Sequence, residues 1–92
     1  MRRSLLDILA CPVDKHYPLL LYELVSSGEK VLEGALFCSE CERFYPIQEE
    51  IPIMLPDDLR RKEDDLAFLR KWVQQLPPNV VFGGKPVHLE QG

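Results

Sequence analysis

The sequence lacks any long apolar run. A transmembrane helix needs about 20 consecutive apolar residues, and no stretch of this 92-residue chain reaches that length. Residues 1–10 open with two arginines, but they are too short for a secretory signal and carry an acidic Asp7 in the middle. We therefore expect one small domain in the cytoplasm.

Catalytic signatures are also missing. The chain has no glycine-rich phosphate loop, no G-x-S-x-G nucleophile elbow and no H-E-x-x-H motif. Cys11 and His16 are close in sequence, but nucleophilic catalysis also needs an orienting third group and an oxyanion site, which no other motif announces. We predict that the protein is not an enzyme and has no catalytic residues.

Basic residues are in deficit. Eleven Lys and Arg residues stand against fifteen Asp and Glu residues, which gives a net charge of −4. Nonspecific binding to nucleic acid depends on the neutralisation of several phosphates. The charge balance therefore disfavours direct binding to nucleic acid, and we expect contact with RNA only through a partner.

Cysteines are few and odd in number, three in total. This fits poorly with a disulfide framework and better with thiols that bind a metal or pack in a core. Two of them form C-S-E-C at residues 38–41, which is either a metal-binding knuckle between strands or a redox pair at the start of a helix. Phe44, Tyr45 and Pro46 follow and suit an extended segment, so the knuckle is preferred.

A second, incomplete knuckle lies at residues 11–16, with the sequence C-P-V-D-K-H. Zinc sites of the ribbon type take two ligands from each of two such turns, in tetrahedral geometry. Asp14 stands where a C-P-x-C knuckle has its second cysteine. We predict a zinc site made of Cys11, Asp14, Cys38 and Cys41, with His16 as the alternative fourth ligand and with Lys15 and Arg43 offsetting its negative charge. A metal-free cluster of packed thiols is the alternative.

Turn signals and apolar patterns predict the other elements. Ser4 and Asp7 form a capping pattern for a short helix over residues 5–10. Apolar residues 19–25 and 31–37 flank a turn signal at 26–29 and predict an antiparallel hairpin that brings the two knuckles together, with an irregularity at Gly34. Prolines confine residues 44–47 and 51–55 to sheet edges or irregular paths.

The C-terminal part of the sequence changes in composition. Apolar residues at helical spacing predict a helix over residues 58–75, followed by a short strand at 79–82 and a returning arm. The predicted fold class is α+β. A small zinc-ribbon-like domain, with a short N-terminal helix, a hairpin and two knuckles, covers residues 1–56, and a C-terminal helix and arm at residues 57–92 pack on the same core.

Three stretches together resemble one known family. They are L-L-D-I-L-A-C-P at residues 5–12, E-G-A-L-F-C at 33–38, and F-Y-P-I at 44–47 followed by I-P-I-M-L-P at 51–56. Jointly they resemble the small activator subunit shared by several tRNA, rRNA and release-factor methyltransferases. The segment between the knuckles is only a hairpin long, which resembles the compact prokaryotic or archaeal form.

The resemblance covers residues 4–56. It implies a non-catalytic zinc-ribbon-like subunit that forms a heterodimer with a Rossmann-like methyltransferase, which itself binds S-adenosylmethionine. It also implies that the partner covers an apolar surface and that a strand of each protein joins one continuous sheet. Asp14 departs from the family's cysteine, and Glu50 stands where the family generally has a glycine, so a turn with positive φ would strain Glu50.

Two sequence features predict where a partner docks. The N-terminal helix is apolar on more than one face, and the proline-bounded tail at residues 51–55 is an edge. The candidate partner-binding residues are Leu5, Leu6, Ile8, Leu9, Phe44, Tyr45, Ile47, Ile51, Ile53, Met54 and Leu55. Two other functions stay open at this point, a stand-alone RNA-binding zinc ribbon and a C-x-x-C thiol redox protein. Acidic Glu40 and Glu42 oppose the redox function because they disfavour a thiolate nearby.

Overall fold

The structure, a computed structural model, describes residues 1–90. Gln91 and Gly92, the end of the predicted segment 57–92, lie outside the described residues. In chain order the elements are a 3₁₀ helix Arg3–Asp7, β1 Leu20–Ser27, β2 Lys30–Phe37, β3 Phe44–Gln48, β4 Ile51–Pro52, a 3₁₀ helix Asp57–Leu59, α1 Lys62–Lys71 and α2 Pro78–Val81. The strands form one antiparallel sheet in the order β1-β2-β3-β4. The predicted α+β class is confirmed.

The hairpin predicted from the turn signal is β1 and β2. Its register runs from Leu20 opposite Phe37 to Ser27 opposite Lys30, and Gly28 in the turn has a φ of 60° that suits glycine. The expected irregularity at Gly34 is also present, because the register shifts directly after the Glu23–Gly34 pair. A Cβ at Gly34 would lie 2.6 Å from the Tyr22 carbonyl oxygen, so the strands approach too closely there for a larger residue.

The prediction that residues 44–47 lie at a sheet edge was wrong. They belong to β3, which lies between β2 and β4. Pro46 is tolerated because the side of its backbone that lacks an N–H faces away from β2. The Pro46 carbonyl oxygen, on that same side, accepts a hydrogen bond from the Ile53 N–H at 2.8 Å, so no bond to β2 is lost.

The turn between β3 and β4 consists of two glutamates. Glu49 has a φ of 50° and Glu50 a φ of 68°. Two-residue hairpin turns of this kind usually carry Asn or Gly, since positive φ costs other residues energy. The positive φ on which the expected strain at Glu50 depends is therefore present.

The sheet has a core on each face. One cluster contains Met1, Cys11, Leu19, Val31, Leu36, Cys38, Tyr45 and Ile47. The other contains Ala35, Phe37 and Phe44 together with Phe68, Leu69, Leu76, Val80 and Val81 from the C-terminal segment. Successive residues of β2 and β3 point to opposite faces, so the N-terminal part and the C-terminal part of the chain cover different faces.

The N-terminal helix differs from its prediction. It is a 3₁₀ helix over Arg3–Asp7, its cap residue is Arg2, and no side chain caps it. The chain start is tied to the sheet, because the Met1 ammonium donates hydrogen bonds to the carbonyl oxygens of Val31 and Glu50. The Arg3 N–H also donates to the Glu29 carbonyl oxygen at 3.2 Å. These bonds start the helical turn before Ser4 can serve as its cap.

The long C-terminal helix is divided. Instead of one helix over residues 58–75 there are a 3₁₀ helix Asp57–Leu59 and α1 Lys62–Lys71. Arg60 and Arg61 between them have extended backbone, because the Arg60 side chain reaches to β3 and Asp65. The predicted strand at 79–82 is instead α2, in which Pro78 occupies the first helical position, where its fixed φ favours a helix. No helix within residues 1–90 combines the length and apolar character needed to cross a bilayer.

Candidate functional site

Two loops of nearly identical geometry carry the cysteines. In the first, the Lys15 N–H donates to the Cys11 carbonyl oxygen at 2.8 Å, and in the second the Glu42 N–H donates to the Cys38 carbonyl oxygen at 2.8 Å. Lys15 and Glu42 have matching φ values of 66° and 65°. The loops are therefore the two predicted knuckles, and Asp14 occupies in the first the place that Cys41 occupies in the second.

The knuckles bring four potential ligands together. One ligand atom from each of Cys11, Asp14, Cys38 and Cys41 lies within 4.8 Å of the others. The Sγ atoms of Cys11 and Cys41 are 3.7 Å apart, and Cys38 Sγ lies 3.5 Å from an Asp14 carboxylate oxygen. Around a tetrahedral Zn²⁺ ion, with Zn–S of about 2.3 Å and Zn–O of about 2.0 Å, these edges are about 3.8 and 3.5 Å. The four residues present fit a zinc ion.

His16, the alternative fourth ligand, lies outside this group. Its Nε2 atom is 3.4 Å from the Ser39 hydroxyl oxygen and its Nδ1 atom is 3.8 Å from Glu40. Its backbone N–H donates to Asp14 Oδ1 at 2.9 Å. In this arrangement the His16 backbone N–H orients the carboxylate of Asp14, and the imidazole lies outside the group of converging ligand atoms.

The thiols and the carboxylate differ in their tendency to ionise. The backbone N–H of His16 lowers the pKa of Asp14 to about 2. Burial raises the pKa of Cys38 to about 12. Burial also acts to raise the pKa of Cys41, but hydrogen bonds from Arg43 outweigh it and the net pKa is lowered. Since a metal binds the thiolate form, a cation beside Cys38 would favour the loss of its proton.

The sequence alone did not place Tyr45 or Asp57 near the cluster. The Tyr45 hydroxyl group lies 3.2 Å from Cys11 Sγ, and burial raises the pKa of Tyr45. Arg43, predicted to offset the site's charge, forms a two-point ion pair with Asp57 at 2.9 and 2.7 Å. No motif in the sequence joins Tyr45 to Cys11 or Asp57 to Arg43, because the sheet alone brings these residues together.

The candidate partner-binding residues divide by burial. Phe44, Tyr45 and Ile47 are fully buried in the two cores, so they offer no side-chain surface to a partner. Four others are exposed, Leu5 at 36%, Ile8 at 75%, Ile51 at 62% and Leu55 at 37%. The half-buried ones are Leu6, Leu9, Ile53 and Met54. Leu6, Leu9 and Met54 pack against the same core cluster, so residues of the N-terminal segment and of the tail cover one core.

The tail also presents backbone groups. Ile51 pairs with Gln48 and the Ile53 N–H bonds to Pro46, so these two residues face β3. Pro52 and Met54 therefore face outward. Within residues 1–90, no backbone or side-chain hydrogen bond involves the Pro52 carbonyl oxygen or the Met54 N–H. A cavity of about 390 Å³ adjoins the tail, with Ile53 and Leu55 on one wall and Ala67 and Phe68 of α1 on the other.

Comparisons with known proteins identify relatives of this chain. The family model described as Trm112p-like protein matches residues 2–50. A UPF0434 protein of Nitrosococcus oceani is 39% identical over 61 residues, which cover 66% of this chain and 88% of the relative. A UPF0434 protein of Coxiella burnetii is 43% identical over 60 residues, which cover 65% of this chain and 91% of the relative.

A solved structure is similar as well. It contains the Haloferax volcanii Trm112 methyltransferase activator in complex with a candidate methyltransferase, and the matched chain is 40% identical to this one with a TM-score of 0.62. The match covers 65% of this chain and 100% of that chain. Since the family model also spans more than half of the sequence, the chain belongs to the Trm112p-like protein family.

Proposed function

We propose that this chain is a non-catalytic activator subunit. It binds and stabilises an S-adenosylmethionine-dependent methyltransferase that acts on tRNA, rRNA or a translation release factor in the cytoplasm. The observation that carries the proposal is the match to the Haloferax volcanii methyltransferase activator at 40% identity over the whole of that chain. The partner binds S-adenosylmethionine and selects the methyl acceptor, and this chain contacts nucleic acid only through the partner.

The proposed docking surface joins the N-terminal helix and the tail. It consists of the predicted residues that keep exposed side-chain area: Leu5, Leu6, Ile8, Leu9, Ile51, Ile53, Met54 and Leu55. Contiguous exposed apolar side chains are typical of protein-interaction sites. Phe44, Tyr45 and Ile47 contribute buried core beside this surface, Tyr45 and Ile47 on one face of the sheet and Phe44 on the other.

Addition of a partner's strand to the outer edge of the tail would fix the orientation of the two proteins. The outward Pro52 carbonyl oxygen and Met54 N–H have the spacing at which an added strand exchanges hydrogen bonds. The short β4 leaves the remainder of the tail without a neighbouring strand on its outer side. A strand of the methyltransferase that paired there would bring apolar side chains onto Ile51 and Leu55.

We also propose that the cysteine cluster holds zinc in a structural role. Cys11, Asp14, Cys38 and Cys41 would be the ligands. Bound zinc would supply cross-linking of the two knuckles and no reaction chemistry, because four protein ligands leave no open position for a substrate. The approach of Cys41 Sγ to Cys11 Sγ at 3.7 Å and of Cys38 Sγ to Asp14 at 3.5 Å supports a structural function over a redox function, because a redox pair needs no ligands from a second knuckle.

The test is purification of the tagged chain with its bound proteins from its own cells. Mass spectrometry should identify a methyltransferase, which is then produced with the chain as a purified complex. Recovery of RNA without a methyltransferase would support the RNA-binding alternative. Recovery of neither, with reversible oxidation of Cys38 and Cys41, would support the redox alternative.

The docking surface is tested by Ile51→Asp, with Val25→Asp as the matched control. Both residues are exposed strand residues, at 62% and 37%, so the altered chains should keep their fold. Val25 lies in β1 at the opposite edge of the sheet. A buried carboxylate at position 51 costs several kcal/mol, so we expect the complex to weaken by at least about 10-fold, while the control binds normally. Equal binding of both variants would place the docking surface elsewhere.

A further inference from the structure

About a third of the chain has no counterpart in its structural relative. The family model ends at residue 50, and 65% of this chain covers the whole Haloferax volcanii chain. We assign the additional third to residues 60–89, which we name the strap. We propose that the strap occupies, within one molecule, a strand edge and an apolar sheet face through which two copies of this chain would otherwise associate.

The strap satisfies the outward-facing backbone of β3. The Phe44 N–H donates to the Lys85 carbonyl oxygen at 3.0 Å, and the Lys85 N–H donates to the Glu42 carbonyl oxygen at 2.8 Å. Lys85 thereby forms a parallel bridge with Arg43. The Phe44 carbonyl oxygen accepts a hydrogen bond from Arg60 Nη1 at 2.6 Å. Both outward groups of Phe44 are therefore bonded as they would be by an added strand.

A buried ion pair holds the start of the strap in place. The Arg60 side chain is only 3% exposed, and its guanidinium group donates to both carboxylate oxygens of Asp65 at 3.0 Å. The same guanidinium group lies 4.9 Å from the centre of the Phe44 ring. A two-point pair of this kind fixes orientation as well as distance, so Arg60 is anchored on β3.

The strap also covers one face of the sheet. Ala35, Phe37 and Phe44 pack against buried strap residues, and the Phe44 and Phe68 rings stack with their centres 6.3 Å apart. Without the strap, these three residues would form an exposed apolar face beside an open strand edge. That combination promotes pairing of edges between chains. The exposed edge would be the outward backbone of residues 42–44, because β4 and the tail pair with β3 from Pro46 onward. Two identical edges of this kind can pair antiparallel about a two-fold axis, so a second copy is the partner that the strap excludes.

Two neighbouring glycines provide matched variants. A Cβ at Gly84 would lie 2.5 Å from the Val80 carbonyl oxygen and 3.1 Å from Phe44 Cδ1. A Cβ at Gly83 would meet nothing closer than the Asn79 carbonyl oxygen at 3.3 Å. Gly84→Ala should therefore distort the strap between Val80 and Gly84 and crowd Phe44, which displaces the strap from β3, and Gly83→Ala is its control.

A second pair of variants tests the buried ion pair of Arg60 with Asp65. Asp65→Ala leaves Arg60 without its buried partner, which should draw Arg60 into solvent. Its control is Asp64→Ala, because Asp64 is exposed and lies 3.9 Å from exposed Arg61. The two pairs release the strap by unrelated causes, one steric and one electrostatic.

Hydrogen exchange and sedimentation velocity are the measurements. In the unaltered chain and both controls, we expect slow exchange of the Phe44 amide and a monomer. In Gly84→Ala and Asp65→Ala, the Phe44 amide should exchange at least about 10-fold faster. The Tyr45 amide should keep its rate, since its register partner is Leu36 of β2. The same two variants should form dimers as the protein concentration rises.

Three results would overturn the proposal. If Phe44 and Tyr45 lose protection together in both variants, the strap is an inseparable part of one core. If neither variant speeds exchange at Phe44, the strap does not hold that edge. If Phe44 is released selectively and the chain stays monomeric, the edge does not associate. None of these measurements involves a methyltransferase, so this proposal and the proposed function fail independently.

Discussion

Asp14 is the residue on which the proposed metal site depends. It lies in a knuckle whose backbone repeats that of the C-x-x-C knuckle, with paired hydrogen bonds of 2.8 Å and φ values of 66° and 65°. A carboxylate is an accepted zinc ligand, and its Zn–O distance of about 2.0 Å would be slightly shorter than the Zn–S distance of a thiolate. The His16 N–H holds the carboxylate and lowers the pKa of Asp14 to about 2, so the ligand is ionised throughout the neutral range.

Asp14→Ala should lower zinc affinity by about 10-fold or more, because it removes one of four ligands. His16→Ala should leave the affinity nearly unchanged, because the imidazole lies outside the ligand group and the backbone N–H that orients Asp14 remains. Competition with a chromogenic chelator measures both affinities. A larger loss of zinc affinity in His16→Ala than in Asp14→Ala would identify His16 as the ligand.

At the residue scale the sequence was most informative where spacing fixes geometry. The C-P-x-D and C-x-x-C spacings predicted the two knuckles and the residues Cys11, Asp14, Cys38 and Cys41 that converge there. Spacing alone did not separate Asp14 from His16, because both are zinc ligands and the orientation of each side chain is set by the folded loop. Tyr45 and Asp57 could not be found at all, since only the sheet brings them to the site.

The β3–β4 hairpin illustrates an element built against local preference. Its two turn residues, Glu49 and Glu50, have φ values of 50° and 68°. The surroundings hold them in place, because the Glu50 N–H donates to the Leu32 carbonyl oxygen at 3.0 Å and its own carbonyl oxygen accepts from the Met1 ammonium. Backbone bonds therefore fix the turn, and the side chain of Glu50 adds only an exposed ion pair with Lys30 at 3.4 Å.

Glu50→Gly should raise the free energy of unfolding by about 0.5 kcal/mol. Glycine relieves a left-handed cost of roughly 1–2 kcal/mol and loses about 0.5–1 kcal/mol in chain entropy. The control is Gln48→Gly in β3, where glycine brings only the entropic loss and should lower stability by a similar amount. Urea unfolding measures both, and a destabilised Glu50→Gly variant would mean that the turn is not strained.

Elements were predictable where pattern and turn chemistry agree. The β1–β2 hairpin and its irregularity at Gly34 followed from an apolar pattern and a turn signal. The prediction of one long helix was wrong because the ion pair of Arg60 with Asp65 accompanies a break in an otherwise helical pattern. The periodicity of side chains carries no information about such a pair. The prediction of a strand at 79–82 was wrong because Pro78 at the start of a helix outweighs the strand preference of two valines.

In the whole molecule, different parts of the chain cover the two faces of the sheet. One face carries the knuckles and the N-terminal helix, and the apolar tail continues from the edge strand β4. The other face is covered by the C-terminal segment, in a region beyond the match to the family model. This division leaves the outer edge of the tail, at Pro52 and Met54, as the proposed place for a partner's strand.

Methyl transfer by the reconstituted complex tests the central claim most directly. The methyltransferase identified with the chain is purified alone and in complex, and the transfer of the labelled methyl group from S-adenosylmethionine is measured. We predict that the complex is active, that the methyltransferase alone is at least about 10-fold less active, that the chain alone is inactive, and that Ile51→Asp loses the stimulation while Val25→Asp keeps it. Equal activity of the methyltransferase with and without the chain would contradict the account.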